Sequence, residues 1–139
     1  NEEKIQKINQ FTSWKKFADE SRKHAAKFKT IVKKLNNQKK IIGYGASARS
    51  STLLNFSGID SHLMSQVIDK NKLKKNKFTP GSGIKIIDYD DIIKNISKFD
   101  VIILLAWNFK KEIVEDLKKN GFKGNFLLPL PNRIKIYEN

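Results

Sequence analysis

The chain has 139 residues, a formal net charge of +14 and no cysteine. That length suits one domain, and the missing thiols exclude disulfides, thiolate nucleophiles and cysteine-based zinc sites. No apolar run approaches the roughly 18 residues of a membrane helix, and the charged, polar start is no signal peptide. No membrane partner is expected, and a cytoplasmic protein fits.

The charge invites a nucleic-acid reading, which the composition weakens. There are 25 Lys against 3 Arg, beside 18 Ile and 13 Asn. Base readers lean on Arg, whose planar fork bonds guanine in bidentate fashion. A joint Lys, Ile and Asn excess reflects AT-rich codons, and the lysines are dispersed, so nucleic acid is not the expected partner. His24 and His62 are the imidazoles available. Neither sits in a paired ligand motif, so both read as surface or packing residues and no metal is expected. The chain opens on Asn1, so a piece of a longer protein, or a trimmed product, is expected.

The first element is a long amphipathic helix over residues 1–38. Ile5, Ile8, Phe11, Trp14, Phe17, Phe28, Ile31, Val32 and Leu35 recur at helical steps. Thr12 or Ser13 offers a cap for a fresh start inside it, and its aromatics read as core or interface. Residues 39–139 then form a second unit. A strand runs from about Lys40 to Tyr44, and a helix from about Ser47 to Phe56, closed by Gly58 as a left-handed cap. Further strands are expected over Gln66–Asp69, Ile84–Ile87, Asp100–Ala106, Phe126–Leu128 and Ile134–Tyr137, the last as a final strand or edge. Asp88 or Asp90 caps a short helix ending near Ile96, and another helix spans Lys110 to Lys119. This alternation predicts an α/β fold, a Rossmann-like doubly wound parallel sheet of order 3-2-1-4-5. The wholly apolar run after Asp100 is its strand buried on both faces.

Between the first strand and its helix stands Gly43-Tyr44-Gly45-Ala46-Ser47-Ala48-Arg49. It fits Gly-x-Gly-x-x-Ala, the dinucleotide fingerprint with Ala in third place. A helix N-terminus aimed at such a turn suits a phosphate or carboxylate. On this reading Gly45 lets the anion approach the backbone and a side chain there would block it, whereas Lys74 adds only a screened attraction. Asp69 ends the second strand, 26 residues beyond Gly43. It either bonds ribose hydroxyls, as in nicotinamide proteins, or accepts N–H bonds from the next turn. Lys72, Lys74, Lys75 and Lys77 either cover a diphosphate or form a solvated loop. Trp107 can stack on a base or sugar and Asn108 can bond hydroxyls; alternatively they pack and cap the next helix. No Ser-His-Asp arrangement, carboxylate pair or metal motif emerges.

The run from Gly43 to Arg49, followed by Thr52-Leu53-Leu54-Asn55 and Gly58-Ile59, resembles the C-terminal domain of the deoxysugar C-methyltransferases. Three more blocks follow in that family's order: Val67-Ile68-Asp69-Lys70-Asn71 with Thr79-Pro80-Gly81, Leu104-Leu105-Ala106-Trp107-Asn108-Phe109 with Glu112-Ile113, and Leu128-Pro129-Leu130-Pro131. Ser50-Ser51 stands where Gly-Asn is commoner, Lys72 where Pro is, and Asn76 where Gly is; Asn tolerates a left-handed turn.

The resemblance implies a parent enzyme with a zinc domain and a domain for S-adenosylmethionine, both absent from this chain. That enzyme methylates a carbon beside the keto group of a nucleotide-diphosphate sugar. This domain is expected to hold that sugar through Gly43, Tyr44, Gly45, Ala46, Ser47, Ala48, Arg49, Thr52, Asp69, Trp107 and Asn108. It is expected to bind no cofactor itself and to be inactive alone. The runner-up is an NAD(P)-binding Rossmann module of an oxidoreductase, and a third reading is a basic adaptor for nucleic acid or an acidic partner.

Overall fold

The computed structural model describes residues 2–138, with side chains from Gln10 onward. The stripe positions Ile5 and Ile8 lie outside the described side chains. Helix α1 runs unbroken from Glu2 to Gln38. The restart expected at Thr12 or Ser13 does not occur. Thr and Ser cost a helix interior only about half a kcal/mol each, and neither Gly nor Pro is present to stop it. Among the described residues no helix is long and apolar enough to cross a membrane.

The remaining elements are β1 (Ile41–Tyr44), α2 (Ala48–Ser57), β2 (Gln66–Asp69), β3 (Lys85–Asp88), α3 (Tyr89–Ile92), β4 (Val101–Leu104), α4 (Lys110–Lys119), β5 (Asn125–Leu128) and β6 (Lys135–Tyr137). They build one six-stranded sheet of order β3-β2-β1-β4-β5-β6. The first five strands are parallel, and β6 closes the edge antiparallel to β5. The doubly wound order is as expected, with the edge strand added to it.

β1 and β4 lie at the centre, in register from Ile41 opposite Val101 to Tyr44 opposite Leu104. Both are buried throughout. Side-chain alternation splits them between two cores. Ile103 joins Phe28, Val32, Leu54, Met64 and Leu105 beneath α1 and α2. Ile42 and Ile102 join Ile68, Leu117, Phe122 and Phe126 beneath α3 and α4.

β4 is shorter than its apolar run. Leu105 N–H turns back to the Ile103 carbonyl, and Ala106 N–H donates to the Tyr44 carbonyl, so the chain folds over the end of β1. Gly58 caps α2 in the left-handed region, as expected. Asn76 adopts φ 62°, the turn its side chain tolerates. Ile103 is fully buried at the sheet centre and Ile136 is half exposed at its edge. Ile103→Ala should therefore cost about 3 kcal/mol in urea unfolding, whereas Ile136→Ala should stay within about 0.5 kcal/mol.

Candidate functional site

The glycine turn is held mainly by its own neighbours. Gly45 has φ +102°, which disfavours any side chain, and a Cβ there would lie 2.6 Å from the Cβ of Ala106. Its N–H donates to the Ile68 carbonyl. Ala46 N–H donates to Asp69 Oδ2 at 2.8 Å. Ser47 caps α2, its hydroxyl accepting from Ser50 N–H. The first-turn amides of Ala48 and Arg49 have no acceptor within the helix.

Asp69 also accepts Asn71 N–H at 2.7 Å and stands 3.5 Å from Lys74 Nζ. Of its two expected roles, turn chemistry is the one drawn in hydrogen bonds. Lys74 is no freely solvated cation, because it donates to the Ala46 carbonyl at 2.7 Å. Lys72 pairs with Asp88 and Asp90, and Lys75 with Asp91. The lysine run is thus fastened largely to the start of α3.

Gly43 and Tyr44 are both buried. A Cβ on Gly43 would sit 3.0 Å from both Leu105 and Met64, so this glycine admits core side chains. The Tyr44 ring packs in the opposite core, beneath α3 and α4. Burial first, then the charges of Asp116 and Asp69, push its phenol up to about 12. Tyr89 is raised as well, by burial first and then by its hydrogen bond to Asp116.

A cavity of about 1150 Å³ opens on the α1–α2 side. Arg49 and Thr52 of α2 line it, with Trp107 from the turn after β4. Gly43, Tyr44, Gly45, Ala46, Ser47, Ala48, Asp69 and Asn108 are not among its lining residues. Lining residues that sequence reasoning missed include Phe17, His24, Lys27, Leu130 and Arg133. His24 Nε2 bonds the Pro129 carbonyl at 2.7 Å, tying α1 to the loop that carries Arg133. It is a packing histidine, as expected.

One signal was present in the composition. The chain has three arginines; Arg22 pairs with Asp19 on α1, and the other two line this cavity. Among the described residues neither Arg49, Arg133 nor Lys27 has an ion-pair partner. Glu20 stands on the rim, 3.9 Å from Lys16. The result is a cationic cleft with aromatic walls at Phe17 and Trp107. No group of acidic or imidazole side chains suited to a metal occurs among the described residues.

A family model described as the C-methyltransferase C-terminal domain matches residues 1–131. The C-methyltransferase NovU of Streptomyces niveus is 31% identical over 134 residues, covering 94% of this chain and 31% of that protein. The chain therefore spans about a third of that relative's length. Among solved structures, UDP-D-quinovosamine 4-dehydrogenase from Vibrio fischeri superimposes with a TM-score of 0.48 at 21% identity, covering 72% of this chain and 93% of that one.

Gly45 and Gly121 both have positive φ, but a Cβ on Gly121 meets nothing within 4 Å. Gly45→Ala should therefore lower the unfolding free energy by about 2 kcal/mol more than Gly121→Ala, the added cost being the clash with Ala106. The raised phenols give a pH dependence. Between pH 10 and 12 an unfolded tyrosine loses its proton while folded Tyr44 keeps it, so stability falls as pH rises through that window. In a phenolate absorbance titration Tyr137, lowered by its hydrogen bond to Lys110, should ionise first, before Tyr44 and Tyr89.

Proposed function

The chain belongs to the C-methyltransferase C-terminal domain family, and from that premise we propose that it holds a nucleotide-diphosphate sugar for a methyltransferase whose reaction centre lies in another part of the parent protein. The observation that carries this reading is the pair of unpartnered arginines, Arg49 and Arg133, facing one cavity beside Trp107. A diphosphate carries the charge those side chains lack, and guanidinium forks bond phosphate oxygens in bidentate fashion. The orphan amides at the start of α2 add partial positive charge next to Arg49. Trp107 offers a flat face to a base or sugar ring. The Thr52 hydroxyl, which donates to the Ala48 carbonyl, still accepts a bond from a ligand hydroxyl.

S-adenosylmethionine supplies the methyl group in this reading, and the residues here do not fit it. Asp69, the acid beside the glycine turn, already accepts from Ala46 and Asn71 and faces Lys74, so it has reduced capacity to accept the pair of ribose hydroxyls. The same commitment weighs against a nicotinamide module. Methyl donor and proton-transfer groups accordingly belong to the rest of the parent enzyme. Without cysteine, any cysteine-bound zinc belongs there too.

Calorimetric titration with a nucleoside-diphosphate sugar tests this in the complete enzyme. Arg49→Ala and Arg133→Ala should each weaken binding about ten-fold, about 1.4 kcal/mol. Lys72→Ala, on the far side of the glycine turn, should leave affinity unchanged. Binding of NADH in place of the sugar nucleotide would overturn the reading. The chain alone, given labelled S-adenosylmethionine and a 4-keto nucleotide sugar, should transfer no methyl above background.

A further inference from the structure

Helix α1 carries apolar residues on one side in both its earlier and its later described turns, with Ser21 and His24 between them, and the domain buries only the later group. Ala25, Phe28 and Val32 are buried in the core beneath the sheet. Stepping back toward the N-terminus at helical spacing, the same face continues through Phe17, Trp14 and Phe11. There it is 63%, 70% and 73% exposed. Trp14 and Phe17 touch edge to face, with ring centroids 6.3 Å apart, and among the described residues no other ring packs on them. A fully buried aromatic side chain removes about 150 Å² or more from water. Three such rings, each about two-thirds exposed within seven residues, leave roughly 300 Å² bare, a size that ranks with the largest apolar patch on a typical monomer. Scattered apolar side chains need no explanation, but three bare aromatics on the side of a helix whose later turns are buried do.

We propose that Phe11, Trp14 and Phe17 dock an apolar face of the parent enzyme's remaining polypeptide, and that this contact completes the wall of the ligand cavity. The inference rests on the reading of this chain as one domain of a larger enzyme, and not on the identity of the ligand. Two observations select this occupant. The homologous relative has about two thirds of its length outside the matched region, ample to supply a covering surface. A second copy of this chain is disfavoured, because each copy brings a net charge of +14 and like charges repel across an interface. Phe17 belongs both to the stripe and to the cavity lining, so whatever covers the stripe borders the bound ligand. A body docked there can present reacting groups to a ligand whose diphosphate rests on Arg49 and Arg133.

Hydroxyl-radical footprinting of the complete enzyme reads the contact directly. Leu73 and Phe78, exposed on the loop between β2 and β3, serve as internal references. Relative to them, Phe11 and Trp14 should oxidise at least ten-fold more slowly, at every protein concentration. The double variant Phe11→Glu/Trp14→Glu removes no side chain from the core or from the cavity. It should lower methyl transfer at least ten-fold while leaving the affinity for nucleoside diphosphate unchanged. Oxidation of Phe11 and Trp14 at the rate of Phe78 would overturn the proposal. So would protection that disappears on dilution as the sedimenting mass halves, since a second copy is then the occupant. Protection without any nucleoside-diphosphate binding would sink the ligand reading and leave the docking contact standing.

Discussion

The architecture turns on a close approach at the switch point of the sheet. Ala106 donates its N–H to the Tyr44 carbonyl and lies where a side chain on Gly45 would have to go. β1 and β4 therefore finish together, and the two chains leave in different directions. One starts α2 and carries Arg49 and Thr52; the other turns through Trp107 into α4. The crevice at this switch point is where open α/β sheets bind ligands, and the cavity lies on its α1–α2 side. The glycine is thus needed for the crossing itself, before any ligand enters. That differs from the usual account of a fingerprint glycine, in which the missing side chain makes room for phosphate.

Charge pairing differs between the two sides of the glycine turn. The lysines around the glycine turn are fastened to Asp69, Asp88, Asp90 and Asp91. Such exposed pairs contribute little stability each, yet they fix a long loop and occupy the cations nearest the turn. The two arginines of the cavity have no such partners. The cations nearest the turn are thus neutralised on one side, while Arg49, Arg133 and Lys27 stay unpaired in the cleft.

α1 serves two surroundings with one periodic pattern. Its later turns supply Phe28 and Val32 to the core and His24 to the loop after β5. Its earlier described turns leave Phe11, Trp14 and Phe17 largely exposed. The helix thereby joins a folded core, the cavity lining and an exposed aromatic surface in one continuous element.

Much of the fold was legible in the residues because it rests on local and periodic signals. Alternation of apolar strands with capped helices specified the doubly wound order, and the wholly apolar Val101–Leu104 segment specified a central strand. Gly58 and Asn76 marked left-handed turns. The glycine turn itself was found at its place, together with Arg49, Thr52 and Trp107 near it. Other features depended on partners far apart in sequence. Whether Asp69 met a ribose or Ala46, and whether Lys74 was solvated or bonded to a carbonyl, depended on where separate loops came to rest. Arg133 and His24 are more than a hundred residues apart, and no spacing rule relates them to each other or to Arg49. An aromatic stripe reads alike whether its face is covered or bare, since helical periodicity records a side that prefers burial and says nothing of what buries it. Local sequence determined the elements and their order, because backbone preference and periodicity act over a few residues. The cavity, its unpaired arginines and the uncovered end of α1 were decided by tertiary structure alone, because they exist only once distant segments compete for the same space and the same charges.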